Sequence, residues 1–376
     1  MFEYTKKFCD AFPTLGLPGF DLIVYHKGKC VLRHMGGYSD LENKIPVDGT
    51  ERYNIYSCSK VITCTAALML YERGLFSLED ELYKYLPEFE NMTVKDGGTV
   101  RPAKTKILIK HLFEMTAGFS YDLKSKSLIE CYKYTDGKCQ TREVMRYLAK
   151  EPLEFDPGDR WSYSLCHDVL AGLVEVVSGE KFETFVKKNI FDPIGMTSSS
   201  FLISDDEAES LASQYLYKDG KAINIGKRIY EHKLGDEYAS GGAGAVSTVE
   251  DYIKFLEALR THKLLSLSTL ELMTAKRLTE SQEASFWDRS THSYALGVRC
   301  PRGVNVYTDF GWSGAASSYL AIDTKNEISM FFAAQMISSP ILPRSLHAKT
   351  YRFVRAELVH PEELEDVLVF FDHLKG

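Results

Sequence analysis

Ser57-Cys58-Ser59-Lys60 places a hydroxyl and an amine three residues apart at the start of a segment with helical periodicity, Tyr56 to Gly74 (YSCSKVITCTAALMLYERG). Residues three apart share one face of a helix, so on such an element the two groups meet. A serine in the first helical turn also gains polarised backbone N–H groups beside its oxygen. Lys60 runs on to Val61 and Ile62. An amine desolvated against apolar neighbours gives up its proton more readily, so Lys60 is expected to serve Ser57 as a base near neutral pH. This is the chemistry of a serine nucleophile. A second S-x-x-K, Ser178-Gly179-Glu180-Lys181, follows the end of a predicted helix, and Lys181 is expected to face solvent. Cys58 should point about 100° away from Ser57, into packing. His167 and Asp168 are adjacent, so on a helix they diverge by about 100° and cannot orient each other as in a Ser-His-Asp triad. His167 is read as a surface residue or one standing behind the site. Gly311-Trp312-Ser313-Gly314 lacks the second spacer of a G-x-S-x-G elbow, which counts against an α/β-hydrolase.

Two later segments give the tetrad its context. Pro157-Gly158-Asp159-Arg160-Trp161-Ser162-Tyr163-Ser164-Leu165 sets a tyrosine just before a predicted helix, and Phe310-Gly311-Trp312-Ser313-Gly314-Ala315 opens a strand-rich tail. In this order and spacing the three motifs resemble the serine β-lactamase and penicillin-binding superfamily. More narrowly they look like its class C branch and the related carboxylesterases of the family VIII type. Ile109-Lys110-His111-Leu112, Thr116-Ala117-Gly118 and Ser240-Gly241-Gly242-Ala243-Gly244 add to the likeness, which spans residues 20 to 335.

The resemblance implies that Ser57 is acylated, that Lys60 accepts its proton and that Tyr163 shares the relay. It also implies an oxyanion hole made by the backbone N–H groups of Ser57 and Ala315, with Gly314 letting substrate lie close to the strand edge. Trp312 and Ser313 would line the pocket. Two departures shape the substrate expectation. The family's third motif is usually Lys-Thr-Gly or His-x-Gly, and here it is Trp312-Ser313-Gly314; the second motif has Leu165 where an Asn is usual. Both changes remove partners for an anionic peptide mimic, so esters are expected over β-lactams. The expected function is thus an esterase acting through an acyl-enzyme on small carboxylic esters. A β-lactamase or D,D-peptidase, an acyltransferase to a small metabolite, and a non-catalytic sensor of the same fold stay open as alternatives.

These residues need a scaffold. Phe20 to His26 and Cys30 to His34 read as a hairpin around Lys27-Gly28-Lys29. Ile107 to Thr116, Thr141 to Lys150, Asp168 to Ser178, Phe182 to Ile190 and Thr248 to Arg260 read as helices. Strand patterns return at Tyr294 to Val298, Val304 to Thr308, Ser318 to Asp323 and Ile328 to Gln335, and Pro340 to Val359 reads as a helix. Strands at both ends around a helical centre predict an α+β fold: an antiparallel sheet flanked by helices with a large α-helical insertion. The expected organisation is one catalytic unit over 1–376, with an α/β lobe at about 1–76 and 286–376 and a helical lobe at about 77–285.

Composition is consistent with this. The 376 residues are 44% hydrophobic and 26% charged, enough for a core without metal or disulfide support. A net charge of −7 speaks against nucleic acid as partner. The start, MFEYTKKFCDAFPTLGLPGF, has no apolar run of signal-peptide type, and nowhere do eighteen apolar residues run together, so a cytoplasmic location without membrane attachment is expected. Eight cysteines show no C-x-x-C and no zinc-ligand spacing. They are expected to be reduced and partly buried, with no metal and no cofactor. The oligomeric state is left open.

Overall fold

In the computed structural model residues 1–227, 234–303 and 307–374 are described. The predicted hairpin forms from β1 (Gly19–His26) and β2 (Lys29–Asp40), and Lys27 and Gly28 between them both adopt positive φ. Such a two-residue turn matches the natural twist of the strands it joins. With β3 (Ile45–Pro46), β4 (His292–Tyr294), β5 (Arg299–Pro301), β6 (Phe310–Ser313), β7 (Tyr319–Asp323) and β8 (Ile328–Ala334), they build one eight-stranded sheet. Its order is β4-β5-β6-β7-β8-β1-β2-β3, antiparallel at every pairing.

The period-2 alternation of these strands divides the core in two. Ile328, Met330, Phe332 and Ala334 of β8 point to the face covered by α1 (Glu3–Asp10) and by the C-terminal helix Leu346–Leu358. Phe331 and Ala333 point the other way, into the larger core. That core also contains α2 (Ser59–Glu72), α3 (Cys166–Ser178) and α4 (Val249–Arg260), with Leu346–Leu358 as α5 on the opposite side. Tyr252 of α4 stacks on Phe331 with ring centroids 4.2 Å apart. Cross-strand register then carries the inner face outward from Ile23 to Phe331, Leu320 and Trp312. Trp312 therefore reaches the helical side of the sheet, where Ser57 lies.

Some expected elements change on folding. Tyr294 to Val298 is not a strand: β4 ends at Tyr294, and Ala295 to Val298 form a turn around Gly297 at φ 87. The apolar run there reflects burial and not extension. Of Val304 to Thr308, residues 304–306 lie outside the described residues, and Tyr307 and Thr308 carry no strand. The helix over Ile107 to Thr116 shortens to Ile109–Phe113, because Met115 turns into the left-handed region at φ 57. The C-terminal helix starts only at Leu346. Among the described residues no helix is long and apolar enough to cross a membrane.

Candidate active site

Ser57 sits in the 3-10 turn Tyr56–Cys58 that feeds α2. Tyr56 immediately before it takes φ 46, a conformation that strains a bulky residue, and its hydroxyl is anchored on Gln214. Lys60 lies one turn on, fully buried, with Nζ 3.3 Å from Ser57 Oγ. The ammonium also donates to the Gly242 carbonyl at 2.7 Å and meets the Tyr121 hydroxyl at 3.4 Å. Tyr163, just ahead of α3, brings its hydroxyl to 2.6 Å from Ser57 Oγ. Lys60 Nζ stands 4.5 Å from the Tyr163 ring centre, and Trp312 Nε1 donates to the Tyr163 oxygen at 3.4 Å.

An aromatic stack fixes that tyrosine. Tyr121 lies nearly parallel to Tyr163 at 5.4 Å, while Trp161, Trp287 and Trp312 close around its other sides. Gly314 at the end of β6 abuts the turn before Ser57; a Cβ there would come within 2.5 Å of the Ile55 carbonyl oxygen. The exposed Ala315 follows directly. Beyond Trp312 and Ser313 opens a cavity of about 580 Å³, walled by Trp287, Tyr307 and Phe370 and by Arg299, Arg344 and Lys349. It mixes aromatic surface with cations.

Electrostatics correct the expected state of the lysine. Burial opposes the charge on Lys60, but Tyr121, Tyr163 and Asp168 around it outweigh that cost and hold its pKa above the ordinary lysine range. Lys60 is therefore an ammonium near neutral pH and not the neutral amine that its apolar neighbours suggest. Burial, aided by Lys60, pushes His167 down to about 3 and leaves it neutral. Burial pushes the Cys58 thiol up to about 12, so it stays protonated beside Ser57.

The tertiary structure thus brings Ser57, Lys60, Tyr163 and Trp312 together, with Ser313, Gly314 and Ala315 along the strand edge beside them. Leu165 is elsewhere. It is buried at the start of α3, its N–H on the Ser120 carbonyl, and it lines a separate small cavity with Phe119 and Leu148. His167 is fully buried against Cys64 and the Phe113 carbonyl, which overturns its reading as a surface residue. Lys181 is exposed as expected, and all eight cysteines are unpaired, Cys30 alone being exposed. Tyr121 and Trp287 escaped sequence reasoning as neighbours of Tyr163, and Asp168 as a neighbour of Lys60. Only the Gly-rich run 240–244 signalled the neighbourhood of Gly242. Among the described residues no cluster of three or more His, Cys, Asp or Glu could hold a metal ion.

Residues 6–336 match the Beta-lactamase family. Esterase EstB of Burkholderia gladioli is 28% identical over 269 residues, covering 65% of this chain and 66% of its own. Acyltransferase mokF of Monascus pilosus is 31% identical over 274 residues, covering 69% and 65%. The solved structure of EstCE1, described as a hydrolase with promiscuous acyltransferase activity, superposes with TM-score 0.75 at 23% identity over 92% of this chain and 97% of its own. With that fold and a match across most of its length, the chain belongs to the Beta-lactamase family of serine hydrolases and acyltransferases.

Proposed function

We propose that this chain is an esterase that cleaves small carboxylic esters through an acyl-enzyme on Ser57. The observation that carries this reading is the triangle of Ser57, half-buried Tyr163 and buried Lys60, with the serine oxygen 2.6 Å from the phenol and 3.3 Å from the ammonium. The Lys60/Tyr163 pair, one proton short of full protonation, takes the Ser57 proton through the Tyr163 oxygen as Oγ attacks the ester carbonyl, with Nζ and the phenol oxygen both in reach of Oγ. The oxyanion is received by the N–H groups of Ser57 and Ala315. Tyr163 then returns the proton to the departing alkoxide, which leaves as the alcohol. Water enters by the reverse route and gives a proton to Tyr163 as it attacks the acyl carbonyl; the bond to Oγ then breaks, Oγ takes that proton back from Tyr163, and the acid is released. Names of relatives support this: one is an esterase and another structure is described as a hydrolase.

A second reading is favoured by the acyltransferase relative and by the cavity beside Trp312, which has room for an acceptor alcohol in place of water. The test is intact mass after treatment with a fluorophosphonate, beside turnover of p-nitrophenyl acetate, p-nitrophenyl butyrate and nitrocefin. A single adduct on Ser57 and ester turnover that falls at least about 10³-fold in Ser57→Ala are expected. Full turnover in Ser57→Ala would sink the proposal. Added alcohols that capture the acyl group faster than water would move it to the acyltransferase reading.

A further inference from the structure

We infer that Asp168 is a positioning residue for Lys60, the buried counter-ion that keeps this lysine charged and seats it on the Gly242 carbonyl. The inference rests on the roles proposed for Ser57, Lys60 and Tyr163. Asp168 lies in the first turn of α3, five residues after Tyr163, and is 2% exposed. Its Oδ1 accepts two hydroxyl bonds, from Tyr238 at 2.5 Å and from Ser240 at 2.7 Å. Its Oδ2 is buried with no hydrogen-bond partner. An unpartnered carboxylate oxygen in such a place is costly unless a positive charge stands near.

That charge is Lys60. A Cβ built on Gly242 would stand 2.4 Å from Asp168 Oδ2 and 3.4 Å from Lys60 Nζ. Carboxylate and ammonium therefore both stand beside Gly242, less than about 6 Å apart, with no room for a side chain at that position. The Gly242 carbonyl accepts the Lys60 proton at 2.7 Å, so one residue joins both charges. The other ionisable groups around the pair are Tyr121, Tyr163, Tyr238, His167, Cys58, Cys64 and Cys166. Burial holds His167 neutral and raises all three thiols, Cys58 to about 12 and Cys166 to about 11, so no sulfur competes with Asp168 as an anion at neutral pH. Asp168 acts through Lys60 and not on Ser57, and so does not complete a Ser-His-Asp relay.

The consequence is a pH profile. The Lys60 charge stands 4.5 Å from the Tyr163 ring centre and 3.3 Å from Ser57 Oγ, so activity persists until the lysine loses its proton. Asp168→Asn keeps the shape and removes the charge, so Lys60 should deprotonate at lower pH. The rate of fluorophosphonate labelling at Ser57, followed by intact mass from pH 6 to 10, reads this without any assumption about the ester substrate. In Asp168→Asn the alkaline limb should move down by at least about one pH unit, with labelling at pH 8.5 slowed about tenfold or more. Tyr238→Phe disturbs the same pocket but keeps the carboxylate, and its alkaline limb should stay within about 0.3 pH units of wild type. An unmoved limb in Asp168→Asn, or an equal shift in both variants, overturns the inference. If Asp168→Asn does not fold, Asp168→Ser, which also removes the charge, is read in its place with the same supporting and overturning outcomes. Failure of wild-type Ser57 to label at all would instead remove the nucleophile reading, and this inference with it.

Discussion

At the scale of single residues, the Tyr163 oxygen is where the site's contacts converge: Ser57 at 2.6 Å, the Trp312 N–H at 3.4 Å, and the Lys60 charge over its ring. Removing that oxygen leaves the stack on Tyr121 intact. Tyr163→Phe should therefore lower kcat for p-nitrophenyl butyrate by about 10²–10⁴-fold, with KM within a few-fold and unchanged near-UV circular dichroism. A loss of less than about fivefold would remove Tyr163 from the relay. That Ser57 and Lys60 meet was legible in the chain, because three residues are one helical turn, while Tyr163 was singled out only by the likeness of its segment to a known family. The charge on Lys60 was not legible. Its apolar sequence neighbours suggest a weakened cation, while the groups that hold the proton, Tyr121 and Asp168, are 61 and 108 residues away along the chain.

At the scale of elements, the contact between β6 and the turn before α2 decides whether the strand edge meets the serine. A Cβ on Gly314 would stand 2.3 Å from Ser318 Oγ and 2.5 Å from the Ile55 carbonyl oxygen. The backbone atom cannot swing away as a side chain would, so β6 must shift outward. Gly314→Ala should cost about 1–3 kcal/mol of stability and slow Ser57 labelling at least tenfold, read by urea unfolding and intact mass. Normal labelling in a folded Gly314→Ala would show that Ala315 has no part in the oxyanion site. The hairpin of β1 and β2 and strands β7 and β8 followed from alternation and turn residues alone. Tyr294 to Val298 did not, because Gly297 turns the chain where a Cβ would press within 2.2 Å of Cys64 Sγ. That neighbour belongs to α2, beyond the reach of any local pattern.

For the whole molecule, the buried histidines set the response to acid. His347 on α5 is buried beside the cavity, and burial, helped by Arg299, pushes it from an ordinary 6.5 down to about 3. Below pH 6.5 the unfolded chain binds a proton there that the folded chain refuses. The stability this group contributes is thus present above pH 6.5 and is lost as pH falls toward 3. His347→Gln keeps a neutral polar group and should make the fall of unfolding free energy between pH 6 and 4 shallower by about one proton, or about 1.4 kcal/mol per pH unit. Identical slopes in urea titrations of wild type and variant would refute this assignment.

The chain by itself set a hydroxyl and an amine one helical turn apart at Ser57 and Lys60, marked Tyr163 and the segment before the exposed Ala315 through the likeness of its motifs to a known family, and set the apolar runs that bury β7 and β8 on both faces. The first and the last are matters of spacing within about ten residues, the range over which helix and strand geometry fixes where side chains go. Only the tertiary structure decided that Trp312 reaches the Tyr163 oxygen, that Asp168 and Lys60 both stand beside Gly242, and that a cavity bearing Arg299, Arg344 and Lys349 opens beside an otherwise apolar third motif. Those relations join segments far apart in the chain. They depend on sheet register, helix packing and the desolvation that packing brings, and none of these is written in a local run of residues.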